Sequence, residues 1–261
     1  MSYLRLMIVY FRMGVMGEAA YRANFFFQLF QSVLSLLVAV AGVAVVFSYT
    51  SSIGGWGPDE ILVLVGIYIL VGGFIGLIIQ PSMEKFIESV RDGTLDFVLT
   101  KPDDAQVLVS VQQINIWSLV DLLLGIAVLA VTFVRLGEKV GLAASGEFIL
   151  LLVAGAIILY SFFLILATLS FWFVRVENIL TIFQSMYEAG RWPVSLYPGW
   201  LRYGLTFVIP VAFATTVPAE ALTGRLNWQT LLLAIAIAIG LFFVSRLFWR
   251  IGLRRYSGSS A

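Results

Sequence analysis

Few side chains in this sequence can do chemistry, and most of them lie in apolar surroundings. Asp121 sits near the middle of the apolar run Val107–Val134, and Glu188 and Arg191 stand at i and i+3 in the more polar stretch Asn178–Tyr197, a spacing at which helical side chains can pair. An ionisable group inside hydrocarbon costs roughly 2.5–3.5 kcal/mol, so Asp121 must face other helices or a wet cavity. It can line a translocation path or make a helix-to-helix hydrogen bond, and the hydrogen bond is also the expected role of Gln28, Gln31, Gln112, Gln113 and Asn115. There is no Cys and no His, which removes disulfides, thiolate metal sites and the commonest general base. No GxSxG, HExxH, dinucleotide fingerprint or GxxxxGK[ST] phosphate loop is present. The chain is therefore expected to be no enzyme and to bind no cofactor or metal of its own.

A second group of candidates lies in the soluble segment Pro81–Gln106. Met83, Phe86, Ile87 and Val90 fall on one side of a short helix, with Glu84, Lys85, Glu88 and Arg91 on the other. Asp92-Gly93 then marks a turn. A further apolar patch, Leu95, Phe97, Val98 and Leu99, precedes the break at Lys101-Pro102-Asp103-Asp104. Two such patches facing water either pack on the protein's own helix ends or dock into a cytoplasmic partner.

The elements that position these residues are membrane spans. With 61% hydrophobic and 12% charged residues, the chain departs far from soluble composition. Apolar runs long enough to cross a ~30 Å bilayer core cover Phe25–Tyr49, Glu60–Ile79, Val107–Val134, Phe148–Val174 and Trp228–Trp249. A further crossing lies between Asn178 and Val217, where Pro193, Pro198 and Pro210 interrupt the pattern. Hydropathy alone prefers Trp200–Val217 for it. The fold class is all-α and polytopic, because a spanning chain must pair its own backbone groups and no short alternating strands are visible. Gly72, Gly73 and Gly76 are placed for close helix packing. The first apolar run reads as a retained span, since no cleavage site follows it.

Before that run, Leu4, Met7, Ile8, Phe11 and Val15 recur at helical spacing with Arg5 and Arg12 on another face, an amphipathic stretch suited to the headgroup layer. Lys and Arg are concentrated in alternate loops, which places both termini in the cytoplasm and makes the number of crossings even. The net charge of +1 gives no indication of a nucleic-acid partner. Membrane lipids are the expected surroundings.

Three features carry a resemblance over nearly the full chain: the amphipathic N-terminal segment, the stretch RDGTLDFVLTKP from Arg91 to Pro102, and LYPGWLRYGLTFVIPVAFATTVPAEALTG from Leu196 to Gly224. The chain resembles the permease of an ATP-binding-cassette exporter of the type 2 class, in particular a bacterial subfamily of transport-system permeases. The resemblance implies a single permease domain of about six spans in the inner membrane of a bacterium. A second permease, identical or related, would pair with it over a cytoplasmic ATPase dimer that carries the ATP and Mg. Residues 1–23 would be a connecting helix and 81–106 the coupling segment. Within that segment the resemblance points to Met83, Phe86, Ile87, Val90, Arg91, Asp92, Leu95, Asp96, Phe97 and Lys101. Residues 198–224 would be outer re-entrant helices, which moves the fifth crossing towards Asn178–Pro198. The rival reading is a secondary transporter or channel working without an ATPase, for which Asp121, Glu188 and Arg191 offer few coupling groups. The cargo cannot be read from the fold.

Overall fold

A computed structural model describes residues 22–137, 141–173 and 176–256. The amphipathic stretch expected over residues 1–23 lies outside them except for its last two residues. Helix α1 (Arg22–Tyr49) is followed by a tight turn in which Ile53 and Trp56 exchange backbone hydrogen bonds of 2.9 and 3.0 Å. Gly54 and Gly55 supply the positive φ that this turn requires. Helix α2 (Pro58–Phe74) starts with Pro at its first position, and the Glu60 carboxylate accepts the Gly57 N–H at 2.7 Å, an arrangement that satisfies an orphan donor.

The chain does not break at Pro81. A π turn, Ile75–Ile79, carries α2 directly into α3 (Gln80–Arg91). Pro81 has no N–H for the Leu77 carbonyl four residues back, and that carbonyl instead accepts the Asn115 N–H at 2.9 Å. The result is one apolar rod, Pro58–Arg91, of 34 residues. At 1.5 Å per residue it is about 50 Å long, so its last turns project beyond a bilayer core. After it come α4 (Asp96–Leu99) and α5 (Ala105–Ser110), the latter capped by the Asp104 carboxylate.

Here the structure corrects the third span. The apolar run Val107–Val134 is not continuous helix: residues 111–115 are irregular, and the span proper is Ile116–Leu136, with α6 covering Leu119–Leu136. The polar groups in the break explain it. Ser82 Oγ donates to the Gln113 carbonyl at 2.8 Å and accepts its N–H at 3.3 Å, while the Gln112 side chain donates to the Ser82 carbonyl at 3.2 Å. Asn115 caps the following turn through the Trp117 N–H. Asp121 therefore lies in the first turn of α6 rather than at mid-span.

Helix α7 (Leu142–Thr168) and α8 (Glu177–Tyr187) follow, then 3-10 turns at Glu188–Arg191 and Val194–Leu196. Next come α9 (Gly199–Tyr203), α10 (Val211–Ala214), α11 (Thr216–Leu222) and α12 (Trp228–Leu253). Among the described residues, five helices are long and apolar enough to cross a membrane. A sixth span results if the pair Gly199–Val208 and Val211–Leu222, bent by 69°, is counted as one. The protein is an all-α polytopic membrane protein.

Small residues hold the bundle together. A Cβ on Gly73 would stand 2.6 Å from the Leu122 nitrogen, and one on Gly125 2.5 Å from the Leu70 nitrogen, so α2 and α6 meet backbone to backbone. Gly155 lets α7 accept the Phe213 carbonyl and Ala214 in the same way. Helix α1, by contrast, buries Ser32 and Val43 but leaves Phe27, Phe30, Leu37 and Val38 exposed.

Candidate functional site

The α3–α4 segment lies at one end of the bundle and splits into inward and outward faces. Met83, Phe86, Ile87 and Leu95 are buried in the chain's own core. The Phe86 ring packs against Phe171 and Trp249, with centroids 5.5 and 5.1 Å away. Val90 is half-buried against the same core, and Asp96 at the start of α4 is half-buried. The outward face carries Glu84, Lys85, Arg91, Asp92, Phe97 and Lys101. Lys85 pairs with Glu88 at 2.7 Å and Arg91 with Asp92 at 2.9 Å. Leu95 and Phe97, read together in the sequence as one patch, point apart because positions i and i+2 on a helical turn differ by about 200°. Phe97 is 74% exposed.

The segment is held by a clamp that sequence spacing does not reveal. Asp104 caps α5 and pairs with Arg246 of α12; the same guanidinium donates to Gln106 Oε1 at 2.6 Å. The Gln106 amide donates to the Tyr160 hydroxyl at 3.1 Å, which shares a 2.8 Å hydrogen bond with Ser110. The Arg246 hydrogen bond is the main cause holding the Asp104 carboxyl below its ordinary value of 3.8, against the opposing effect of burial. A depressed carboxylate stabilises the fold above its unfolded value, and this contribution disappears as pH falls through the folded value. Asp104→Asn, which keeps the cap, is expected to lower thermal stability by roughly 0.5–1 kcal/mol at pH 7. The difference from the unsubstituted protein should close as the pH falls through the folded value of Asp104, which lies below 3.8, as read by melting curves across that acid range and at pH 7.

At the opposite end, Arg225 closes a second clamp. It donates to Glu60 at 3.0 and 2.8 Å and to the Gly55 carbonyl at 2.6 Å, with its guanidinium 5.1 Å from the centre of the buried Trp56 ring. Leu196 packs on Gly54 at this same end. Between the two ends, residues 177–196 run back along the rod. The Gln184 side chain bonds Gln80, the Tyr187 hydroxyl donates to the Tyr68 carbonyl at 2.8 Å, and the Arg191 guanidinium lies 5.2 Å from the Tyr68 ring centre. The stretch 177–196 therefore travels from the α3 end of the bundle to the Gly54 end. The bent pair that follows starts and finishes at the Gly54 end.

This path leaves a groove of about 810 Å³ between α1, α2 and the stretch from Phe183 to Trp192. It gathers the three ionisable residues singled out from the sequence, Asp121, Glu188 and Arg191. Asp121 sits at the N-terminal end of α6, where the helix dipole favours a carboxylate, and the Ser32 hydroxyl lies within hydrogen-bonding reach. Ser32, Ser35 and Gln31 line the α1 side. Tyr68 and Tyr187, stacked with centroids 4.9 Å apart, stiffen the wall between α2 and α8. Among the described residues, no group of His, Cys, Asp or Glu is arranged to hold a metal.

A search of curated proteins finds no significant match. A family model described as ABC-2 family transporter protein matches residues 13–260, which include the rod, both clamps and the groove. Membrane components of that family generally work with ATPase subunits. The chain belongs to the ABC-2 transporter family and is an ABC transporter permease.

Proposed function

We propose that this permease is one half of the membrane portion of an ATP-driven exporter, and that the groove along α2 is its share of the translocation path. The observation that carries this reading is the rod Pro58–Arg91. One helix lines the groove with Tyr68 and Gly72 and then continues into the exposed charges of α3. A push on Glu84, Lys85, Arg91 or Phe97 is thereby transmitted along a stiff element to the groove wall. Separate ATPase subunits supply the push; ATP and Mg bind there, because the permease has no phosphate loop. A nucleotide can shift such an assembly only through different affinities for its two states, and a continuous helix provides that mechanical link. The exposed face of α1 is the surface offered to a second permease.

Orientation follows from charge. Lys85, Arg91, Lys101, Arg246, Arg250, Arg254 and Arg255 cluster at the α3 end, against Arg135, Arg202 and Arg225 at the other, so the α3 end faces the cytoplasm of the bacterial inner membrane. Residues 177–196 form the fifth crossing, and residues 198–224 dip back from the outer side as a re-entrant pair. That count returns the C-terminus to the cytoplasm.

The test is co-purification of the chain with a cassette ATPase, followed by reconstitution of the complex in vesicles. ATP-dependent loss of a trapped cargo that stops when the ATPase is inactivated is the expected result. A chain that carries solute unaided, or that binds no ATPase, sinks the proposal and favours a secondary transporter or channel.

A further inference from the structure

We propose that the groove selects monovalent amphipathic cations, with Asp121 as the counter-charge; this inference rests on the groove being the path. Three charged side chains line it, and their charges do not cancel. Arg191 is already committed, since it lies over the Tyr68 ring and Glu188 stands beside it as its electrostatic partner. Asp121 forms no ion pair with any Lys or Arg among the described residues, its neighbour being the neutral Ser32 hydroxyl. With the carboxylates ionised, the groove therefore carries one uncompensated negative charge in a wall that is otherwise apolar or neutral.

The rest of the wall defines the remainder of the ligand. Val38, Val65 and Ile69 present aliphatic surface along the groove, and about 810 Å³ falls within the range of roughly 300–1,000 Å³ typical of sites for drug-sized molecules. An anion would be repelled by Asp121 at low dielectric, and a neutral amphiphile would leave that carboxylate desolvated with only the neutral Ser32 hydroxyl beside it. A compact cation with an apolar body satisfies both. The charge also has a position. Asp121 lies at the level of Gly73 and Gly76, towards the α3 end, whereas Arg191 lies nearer the Gly54 end. A ligand is thereby oriented with its cationic head towards α3.

Binding of tritiated tetraphenylphosphonium to the full chain in lipid nanodiscs tests this, with anilinonaphthalene sulfonate as the anionic comparison. Saturable cation binding is expected, with no saturable binding of the anion. Asp121→Asn should weaken the cation by about tenfold or more, the order expected for loss of a partly buried charge pair. Asp121→Glu should retain it within about threefold, and Arg191→Gln should tighten it, a gain that misfolding cannot imitate. Glu147→Gln, outside the groove, should change nothing. Equal affinity of Asp121→Asn and the unsubstituted chain, or preference for the anion, overturns the inference. The path reading fails separately, by cation binding with no ATP-driven flux of any cargo through the assembled complex.

Discussion

Phe97→Asp is expected to leave the chain inserted and folded yet to abolish ATP-driven transport, whereas Phe86→Asp is expected to destroy the fold itself. Both residues read as apolar members of one coupling segment, and the structure separates them. Phe86 is wholly buried against Phe171 and Trp249. Removing a core Phe ring costs about 3–5 kcal/mol, and a carboxylate in its place adds an unpaired buried charge. A marginally stable domain does not survive that sum. Phe97 is 74% exposed, so its replacement disturbs no packing. As an aromatic anchor for the ATPase it would be worth about 2 kcal/mol or more, roughly a thirtyfold loss of affinity. Size-exclusion profiles distinguish the folded variant from the unfolded one, and pull-down of the ATPase measures the docking loss. Undiminished ATPase binding by Phe97→Asp removes Phe97 from the coupling surface.

Gly125→Val is expected to collapse the pairing of α2 with α6, and Gly73→Val to do the same from the other side. The atoms a new Cβ would strike are the Leu70 nitrogen at 2.5 Å and the Leu122 nitrogen at 2.6 Å. Backbone cannot swing aside as a side chain can, so the helices must separate along their length. Overpacking alone costs about 1–3 kcal/mol. In lipid the loss is compounded, because helix association rests on close packing and not on the expulsion of water. Asp121 on α6 and Ser118 in the turn just before it line the groove, so transport should fail with the packing. The expected readout is a melting temperature lower by roughly 5–10 °C, or failure to recover monodisperse protein. Gly240→Val on α12, where nothing lies within 4 Å of the added Cβ, is the matched control and should behave as the unsubstituted protein.

The elements differ in how far local sequence decides them. Spans such as Phe26–Tyr49 and Trp228–Leu253 are legible because long apolar runs have one stable solution in a bilayer. The third span was legible only in part. Gln112, Gln113 and Asn115 interrupt it because Ser82 and the carbonyl freed by Pro81 wait 30 to 38 residues away in the chain, and no local pattern announces such partners. Pro81 reads locally as a helix boundary, yet the π turn before it and the Asn115 N–H beside it let the rod continue. The two clamps, Asp104 with Arg246 and Glu60 with Arg225, join residues 142 and 165 positions apart. Each residue by itself reads as an ordinary charge near a span end.

Composition, apolar run length and basic-residue placement determined by themselves that this is a helical membrane protein with a charged, turn-rich segment at one end, because burial of backbone polarity and the cost of charge in lipid are local constraints. Tertiary structure decided which apolar side chains of that segment remain outside, since two patches of equal hydropathy differ only in what packs on them. It also decided that Asp121, Glu188 and Arg191 share one groove, because residues 177–196 turn back along a single helix and no spacing rule reaches across 67 to 70 positions of chain.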